Sequence, residues 1–342
     1  MGLLKYLYSK IFIAIVEDGE YISVATEIFD GNRKRDKDFE KFESFDAAKS
    51  YILDLISESP YYYISLLNTT RDQGAIPTCD KLQMRDFADM SLTKTLCIDK
   101  KWTLYSSSGL LKVLENRHSA YGLDYIFSPF TILHDFFKDK IEDVVGLHVL
   151  IQEERLILAV FSSEKLEFGA YFVTDADEIA LMGALNDSSD SFELDSDDGK
   201  EEVDIDDFEE FDDIESLDDI ESLDDIETLD DIENIESFED FTEESEEVSI
   251  QEPEEEKEES ISGFNLDFHR FTLIQDALKV FYQEEIYRQS FIEAIFIADA
   301  VGISEDLKHY LEEELFVSPI VRKIDLTHAL LELTKDEVVH AS

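Results

Sequence analysis

The stretch Ile11-Phe-Ile-Ala-Ile-Val-Glu-Asp-Gly-Glu-Tyr-Ile-Ser-Val-Ala-Thr-Glu-Ile-Phe29 decides the fold class. Its first six residues form an apolar, partly β-branched run that reads as a buried strand. Glu17-Asp18-Gly19-Glu20 follows as a turn with Asp-Gly at its centre, a strong short-range hairpin signal. Tyr21–Phe29 alternates well enough for a returning strand. A second turn at Asp30-Gly31-Asn32 leads to a more charged third strand near Asp38–Phe45. Ala47, Tyr51, Ile52, Leu55 and Ile56 then fall at helical spacing, and Tyr61–Leu67 reads as another buried strand. The order is β-β-β-α-β.

Residues 70–95 are irregular, with Gly74 and Pro77 marking loops. Beyond them the pattern predicts a strand over Lys101–Tyr105, a helix over Gly109–Arg117 and a short strand over Asp124–Phe127. A helix over Pro129–Phe137 has proline in its first turn, where helices tolerate it. Three further strands are expected, Val144–Ile151, Leu156–Phe161 and Leu166–Val173. The polar turns Gln152-Glu153-Glu154-Arg155 and Ser162-Ser163-Glu164 join them. A helix begins across Asp175–Leu185. Past an acidic segment come a helix over Phe268–Tyr287, a strand over Phe291–Ile297, a helix over Ser304–Leu315, a strand over Val317–Val321 and a closing helix over Leu326–Leu333. A second β-β-β-led half is therefore completed by helix-strand-helix.

Charge separates the chain into two kinds of sequence. The whole holds 83 acids against 29 bases in 342 residues. Residues 187–259 alone contain 38 acids and two bases, Lys200 and Lys257, which leaves 45 acids and 27 bases elsewhere. Such a balance argues against phosphate neutralisation on nucleic acid and against electrostatic docking on anionic lipid. The N-terminal ten residues lack the layout of a signal peptide, and the run Ile11–Val16 is far shorter than the roughly 20 residues a spanning helix needs. Cys79 and Cys97 stand at no zinc-type spacing, and so few cysteines fit a reducing compartment.

Within the acidic segment, residues 205–241 carry an apolar residue at every third position, from Ile205 and Phe208 through to Phe238 and Phe241. The core unit Ser-Leu-Asp-Asp-Ile-Glu begins at Ser216 and again at Ser222. Period three forms no single face on an α-helix and splits between both faces of a strand. Dense like charge opposes compaction further. The segment reads as a disordered spacer or, alternatively, as a multivalent ligand whose short apolar-acidic units dock basic-rimmed grooves. It contains no calcium-loop pattern.

The search for chemistry assigns no catalytic, cofactor-binding or metal-ligating residue. The seven histidines form no HExxH or other close metal pair, and His134 beside Asp135 reads as a packed helix residue. No GxSxG elbow, Walker loop or GxGxxG is present. Glu17-Asp18-Gly19 lacks the Asp-Thr/Ser-Gly order of an aspartic protease. Tyr61-Tyr62-Tyr63 has no basic surroundings to serve nucleic-acid stacking. Trp102 suits a core or an interface.

Three segments together carry a family resemblance: Tyr121-Gly-Leu-Asp-Tyr-Ile-Phe-Ser-Pro-Phe-Thr-Ile-Leu133; Val145–Phe161 continuing into Lys165-Leu-Glu-Phe168; and Phe291–Val321 with Gly302-Ile-Ser-Glu-Asp-Leu307 and Tyr310-Leu-Glu-Glu-Glu-Leu315. In this order the chain resembles the actin-like, ribonuclease-H-like two-lobed α/β fold. It is most similar to the pilus-assembly PilM family and the cytoplasmic domain of the type II secretion protein GspL. The resemblance implies a first lobe over residues 1–140 with an irregular insertion at about 70–105, a second lobe over 141–186 and 263–336, and a disordered acidic insert over 187–262.

What the resemblance implies for function turns on three places. In actin-like ATPases the first hairpin carries an Asp-x-Gly turn; here Glu17 takes the Asp position and extra carboxylates flank it. The second hairpin's Asp-x-Gly is replaced by Gln152-Glu153-Glu154, with no glycine to let backbone approach a phosphate. The final Gly-Gly pair becomes Ala298-Asp299-Ala300. These departures point to a non-enzymatic, cytoplasmic, PilM-like scaffold without a cofactor. It would be peripheral to the inner membrane, form a homo-oligomer or ring, and bind the cytosolic tail of a single-span PilN-like protein in a type IV pilus, type II secretion or flagellar-motor assembly. Two alternatives stay open: a divergent ATPase in which Glu17 or Asp18 holds the metal, and an adaptor acting through its acidic repeats.

Overall fold

The computed structural model describes residues 8–31, 33–141, 144–174 and 254–340. The helix expected over 175–185, Asn32 and the acidic segment as far as residue 253 lie outside the described residues.

Strand β1 (Lys10–Asp18) is apolar along its centre because it has neighbours on both edges. It pairs antiparallel with β2 (Tyr21–Asp30) and parallel with β4 (Tyr61–Leu67). With β3 (Arg33–Phe42) and β8 (Tyr125–Phe127) they form a sheet of order β3-β2-β1-β4-β8. The second sheet repeats that arrangement. β9 (Gly146–Ile151), β10 (Arg155–Ser162) and β11 (Lys165–Val173) make an antiparallel meander, and β12 (Ala294–Asp299) and β13 (Ile320–Lys323) add in parallel, giving β11-β10-β9-β12-β13.

Side-chain alternation sorts each sheet's two faces into different cores. Ile11, Ile13 and Ile15 pack with Ala48 and Ile52 of α1 (Phe45–Ser57) and Leu114 of α3 (Ser108–Arg117). Phe12, Ala14 and Val16 face the opposite way. They share one core with α4 (Pro129–Phe136), α7 (Leu326–His340) and the Leu150, Ile157, Ala159 and Phe161 face of the second sheet. The outer face of that sheet, including Leu147, Val149, Leu156 and Leu158, is covered by α5 (Glu254–Gln283) and α6 (Glu305–Leu315). α4 and α7 thus lie between two sheets, and one continuous apolar core joins the lobes.

Several boundaries differ from the sequence reading. The closing helix is twice as long as its first apolar run suggests, and it packs on the first sheet rather than completing the second lobe. The Thr334 hydroxyl donates to the Leu330 carbonyl and lies 2.7 Å from the Ser65 hydroxyl on β4. β13 begins at Ile320 because Phe316 ends α6 in the left-handed region, φ 54°, and Pro319 then offers no strand donor. α5 begins inside the segment read as insert and ends at Gln283 in a turn.

The irregular insertion is an ordered three-stranded sheet, β5 (Gln73–Ile76), β6 (Thr93–Ile98) and β7 (Trp102–Ser107) in order β5-β7-β6, with α2 (Met84–Phe87) between its first two strands. Trp102 is a core residue, edge-to-face with Phe161 of β10. Gly169 on β11 permits the docking, since a Cβ there would meet the Ala75 carbonyl at 2.7 Å. Cys79 and Cys97 are joined in a disulfide within this unit. Neither the number nor the spacing of the two cysteines announces that bond: the pairing of β5 and β6 on either side of β7 brings together residues that look unrelated at 18 positions apart.

Candidate functional site

Both hairpin turns and the loop after β12 converge where the two lobes meet. The first turn is Gly19-Glu20, because Asp18 pairs with Tyr21 as the last rung of the ladder. Gly19 has φ +60°, so glycine occupies the first central position of this two-residue connection. Alternation then decides which carboxylate faces the second lobe. Glu17 points to the α3 side, where Arg117 meets its Oε2 at 2.9 Å and the His118 ring lies 3.5 Å from Oε1. Asp18 points across the cleft. The expectation that Glu17 stands in the metal-organising position is therefore corrected; the adjacent residue faces that way.

The Asp18 carboxylate is fully engaged by the second hairpin. Its Oδ1 accepts from the Arg155 guanidinium at 2.7 Å and its Oδ2 from the Glu153 backbone N–H at 3.2 Å. Arg155 is held on two further sides by the Thr69 carbonyl, 3.3 Å from Nε, and by Glu154, 3.5 Å away. Between Gln152 and Arg155, the two glutamates form the turn, with the Gln152 N–H donating to the Arg155 carbonyl. Glu153 fills the hollow above Gly19: a Cβ on that glycine would meet its carboxylate at 2.7 Å. A charged side chain from one lobe thus occupies the concavity left by the other lobe's glycine.

The loop after β12 is also closed from within. Asp299, buried at the end of β12, accepts from the N–H groups of Val301, Gly302 and Ile303 at 3.1, 2.7 and 3.1 Å. Gly302 adopts φ +89°, which lets the chain curl around that carboxylate. Asp267 on α5 accepts from the Ser304 N–H at the start of α6 and from Arg270, both side chains being buried. Arg270 in turn donates to the Gln152 carbonyl, tying α5 to the second turn. Three carboxylates, Asp18, Asp299 and Asp267, hence hold the backbone amides that line this junction.

Cavities remain on either side of the touching turns. One of about 530 Å³ is bounded by Gly19, Glu20, Thr69, Glu154 and Thr174. The other, about 330 Å³, lies between Asp18, Glu153, Val301 and the start of α7. The wall of the first carries Glu20, Glu153 and Glu154 beside Arg71 and Arg155, whereas the second is bounded by Asp18, Glu153 and Asp325 together with Lys41. Among the described residues one further group of ligand type occurs, Glu27 with His328 and Glu332. Lys34 and Lys335 already sit on both oxygens of Glu27, at 2.5 and 2.9 Å. Burial pushes that carboxyl up, but the two ammonium groups outweigh it and hold it below the usual carboxylate range. Two resident cations leave no reason for a third.

Sequence reading placed Glu17, Asp18, Gln152, Glu153, Glu154 and Asp299 at the junction, and all but Glu17 meet there. It missed Arg155 as a cross-lobe partner, and Asp267 and Arg270 altogether. The last two carry one legible signal, an Asp and an Arg three apart on a helix.

A duplicated sheet of order 3-2-1-4-5, with two hairpin turns and the loop after β12 meeting at one cleft, defines the actin-like class of two-lobed α/β proteins. Residues 147–339 match a family described as a domain of unknown function, DUF8341, and the chain belongs to that family. Residues 8–134 match a second domain of unknown function, DUF8569. No curated protein sequence matches. Among solved structures, the chain is similar to a type IV pilus biogenesis PilM–PilN complex at 12% identity and TM-score 0.44, covering 96% of each chain. It is also similar to the ethanolamine utilization protein EutJ of Carboxydothermus hydrogenoformans, at 6% identity and TM-score 0.41 over 95% of this chain and 89% of that one. A Bacteroides thetaiotaomicron protein of actin-like ATPase fold and unknown function aligns at 10% identity and TM-score 0.34 over 56% and 80%.

Proposed function

We propose that this chain is a nucleotide-free actin-like scaffold that holds another polypeptide at the cytoplasmic face of a membrane. The observation that carries the nucleotide-free half is the set of occupied amides. Triphosphate binding on this type of cleft needs converging backbone N–H groups and cations. Here Asp18 takes the Glu153 N–H and the Arg155 guanidinium, while Asp299 takes three N–H groups of the adenosine-side loop. A nucleotide would have to displace charge-assisted bonds made by carboxylates that stay behind as like charges.

The partner half rests on the sequence resemblance to PilM-like proteins. It commits to the cytosolic tail of a single-span, PilN-like membrane protein, and to a cytoplasmic location peripheral to the inner membrane. No helix among the described residues is long and apolar enough to cross a bilayer, so a membrane association of this chain would run through such a partner. The experiment is retention of membrane proteins from detergent extracts of the native cell on the tagged full chain, with and without MgATP. A small single-span protein retained equally in both conditions, and bound through its cytosolic tail alone, is the expected result. Retention that requires MgATP, or retention of no membrane protein, contradicts the proposal.

A further inference from the structure

Strand β3 and helix α7 stand as two walls over β2, and the trough between them is lined by lysines. Across its middle, Glu27 on the floor is bonded to Lys34 from β3 and to Lys335 from α7. At one end, a cavity of about 350 Å³ is bounded by Lys10, Phe12, Phe29, Lys335, Val338 and Val339. At the other, the cavity of about 330 Å³ includes Phe39 and Lys41 of β3 and Leu326 and Thr327 of α7.

β3 sorts its charges by face. Alternation puts Lys37, Phe39 and Lys41 on the trough side and Asp36, Asp38 and Glu40 on the other, where Asp38 accepts from the Tyr51 hydroxyl of α1. Of the acids that face the trough, Glu27 and Glu332 are held by lysines, Asp325 by the Thr327 hydroxyl and the His328 N–H, and Asp18 by Arg155, while the Glu153 carboxylate lies at the far end over Gly19. Phe39 stays 51% exposed and Val339 73% exposed. In a chain with 83 acids and 29 bases, a trough carrying Lys10, Lys34, Lys37, Lys41 and Lys335 beside open apolar pockets is a segregated feature.

The geometry points to the β3–α7 trough as the docking site for the chain's own acidic repeat, residues 205–241. That segment has 19 acids, no Lys or Arg, and an apolar residue at every third position. Its composition therefore complements the trough twice over. Carboxylates meet the lysine rims, and Ile, Leu or Phe side chains enter the two end cavities. The tether supports it as well. Thirty residues lie between Thr174 and Ile205 and span up to about 100 Å when extended, so the repeat reaches the trough at the high effective concentration of an intramolecular ligand. Repetition lets several successive units compete for the same pair of pockets.

The test uses the full chain carrying a photoreactive benzoylphenylalanine in place of Phe39, irradiated at low salt, with the products mapped by mass spectrometry. Cross-links to residues 205–241 are expected, within one molecule or, by doubled mass, from a second copy. Hydrogen exchange is the independent readout. Amides of 205–241 exchange about tenfold faster in about 0.5 M NaCl, where surface charge is screened, and equally fast at low salt in Lys37→Glu/Lys41→Glu. Lys37→Gln, which removes charge without reversing it, gives an intermediate rate. Cross-links only to other parts of the chain or to an unrelated protein, or exchange of 205–241 that ignores both salt and the lysine variants, would overturn the assignment.

Discussion

The β1–β2 turn and the β9–β10 turn occupy equivalent corners of two sheets with the same strand order, yet one ends in a glycine at φ +60° and the other in two glutamates. Both close a two-residue hairpin, so the topology tolerates either. What differs is the surface each turn offers to a guest. Gly19 leaves a hollow and Glu153 fills it, while Asp18 crosses to the partner turn's amide and arginine. Strand order is set by the apolar runs and is insensitive to turn chemistry; binding capacity is set by the turns alone. The two lobes preserve an actin-like frame in which the groups that would meet a triphosphate are satisfied by each other.

The largest effect is expected from Arg270→Met, which undermines the second lobe's turn from below. It leaves Asp267 buried without its cation and frees the Gln152 carbonyl. A loss of about 3–5 kcal/mol in urea-denaturation midpoint analysis is expected for breaking such a pair from one side. Acid should next separate the two lobes. His148 on β9 is enclosed by Phe137, Phe161 and Phe296. Burial depresses its pKa from 6.5 to about 4. The unfolded chain therefore takes up the proton first, and stability falls as pH drops from about 6.5 towards 4, by up to about 3 kcal/mol. Glu27 in the first lobe behaves differently. Its lowered pKa contributes stability that is complete above the ordinary carboxylate range and is lost only as pH falls below it. His148→Phe should flatten the upper limb of the pH–stability curve and leave the lower one.

Smaller changes probe the turns themselves. Gly19→Ala is expected to cost about 1–2 kcal/mol, because alanine at φ +60° is strained. Adding Glu153→Gly should recover only the part due to contact with that carboxylate, which separates conformation from crowding in thermal melts. Asp18→Asn should cost about 0.5–1 kcal/mol, since its pair with Arg155 is partly exposed and screened. A double-mutant cycle with Arg155→Met reads the coupling directly. A coupling of zero would mean that the two lobes do not communicate through these turns.

Much of the frame is legible in the chain because it rests on local pattern. The runs Ile11–Val16, Tyr61–Leu67 and Leu156–Phe161 announce buried strands, and Asp18-Gly19 announces the first hairpin. The insertion was less visible. β6 is mostly exposed and its hairpin turns at Asp99 and Lys100, both at positive φ without a glycine, so neither burial nor turn chemistry marks it. The closing helix runs past Leu333 through polar residues whose helical state depends on packing against β1, β2 and β4. At the site, the excess of carboxylates was readable, whereas their partners were not. Arg155, Arg270 and the N–H groups of residues 301–304 come together through tertiary contacts, and one residue of register decides that Asp18 rather than Glu17 crosses the cleft.

The most direct measurement is titration calorimetry of the full chain with MgATP. No saturable heat is expected at ligand concentrations up to about 1 mM, a limit equivalent to about −4 kcal/mol of binding free energy. A saturable isotherm in the micromolar range, accompanied by phosphate release, would mean that the carboxylates at the two turns yield to nucleotide, and would contradict a nucleotide-free scaffold.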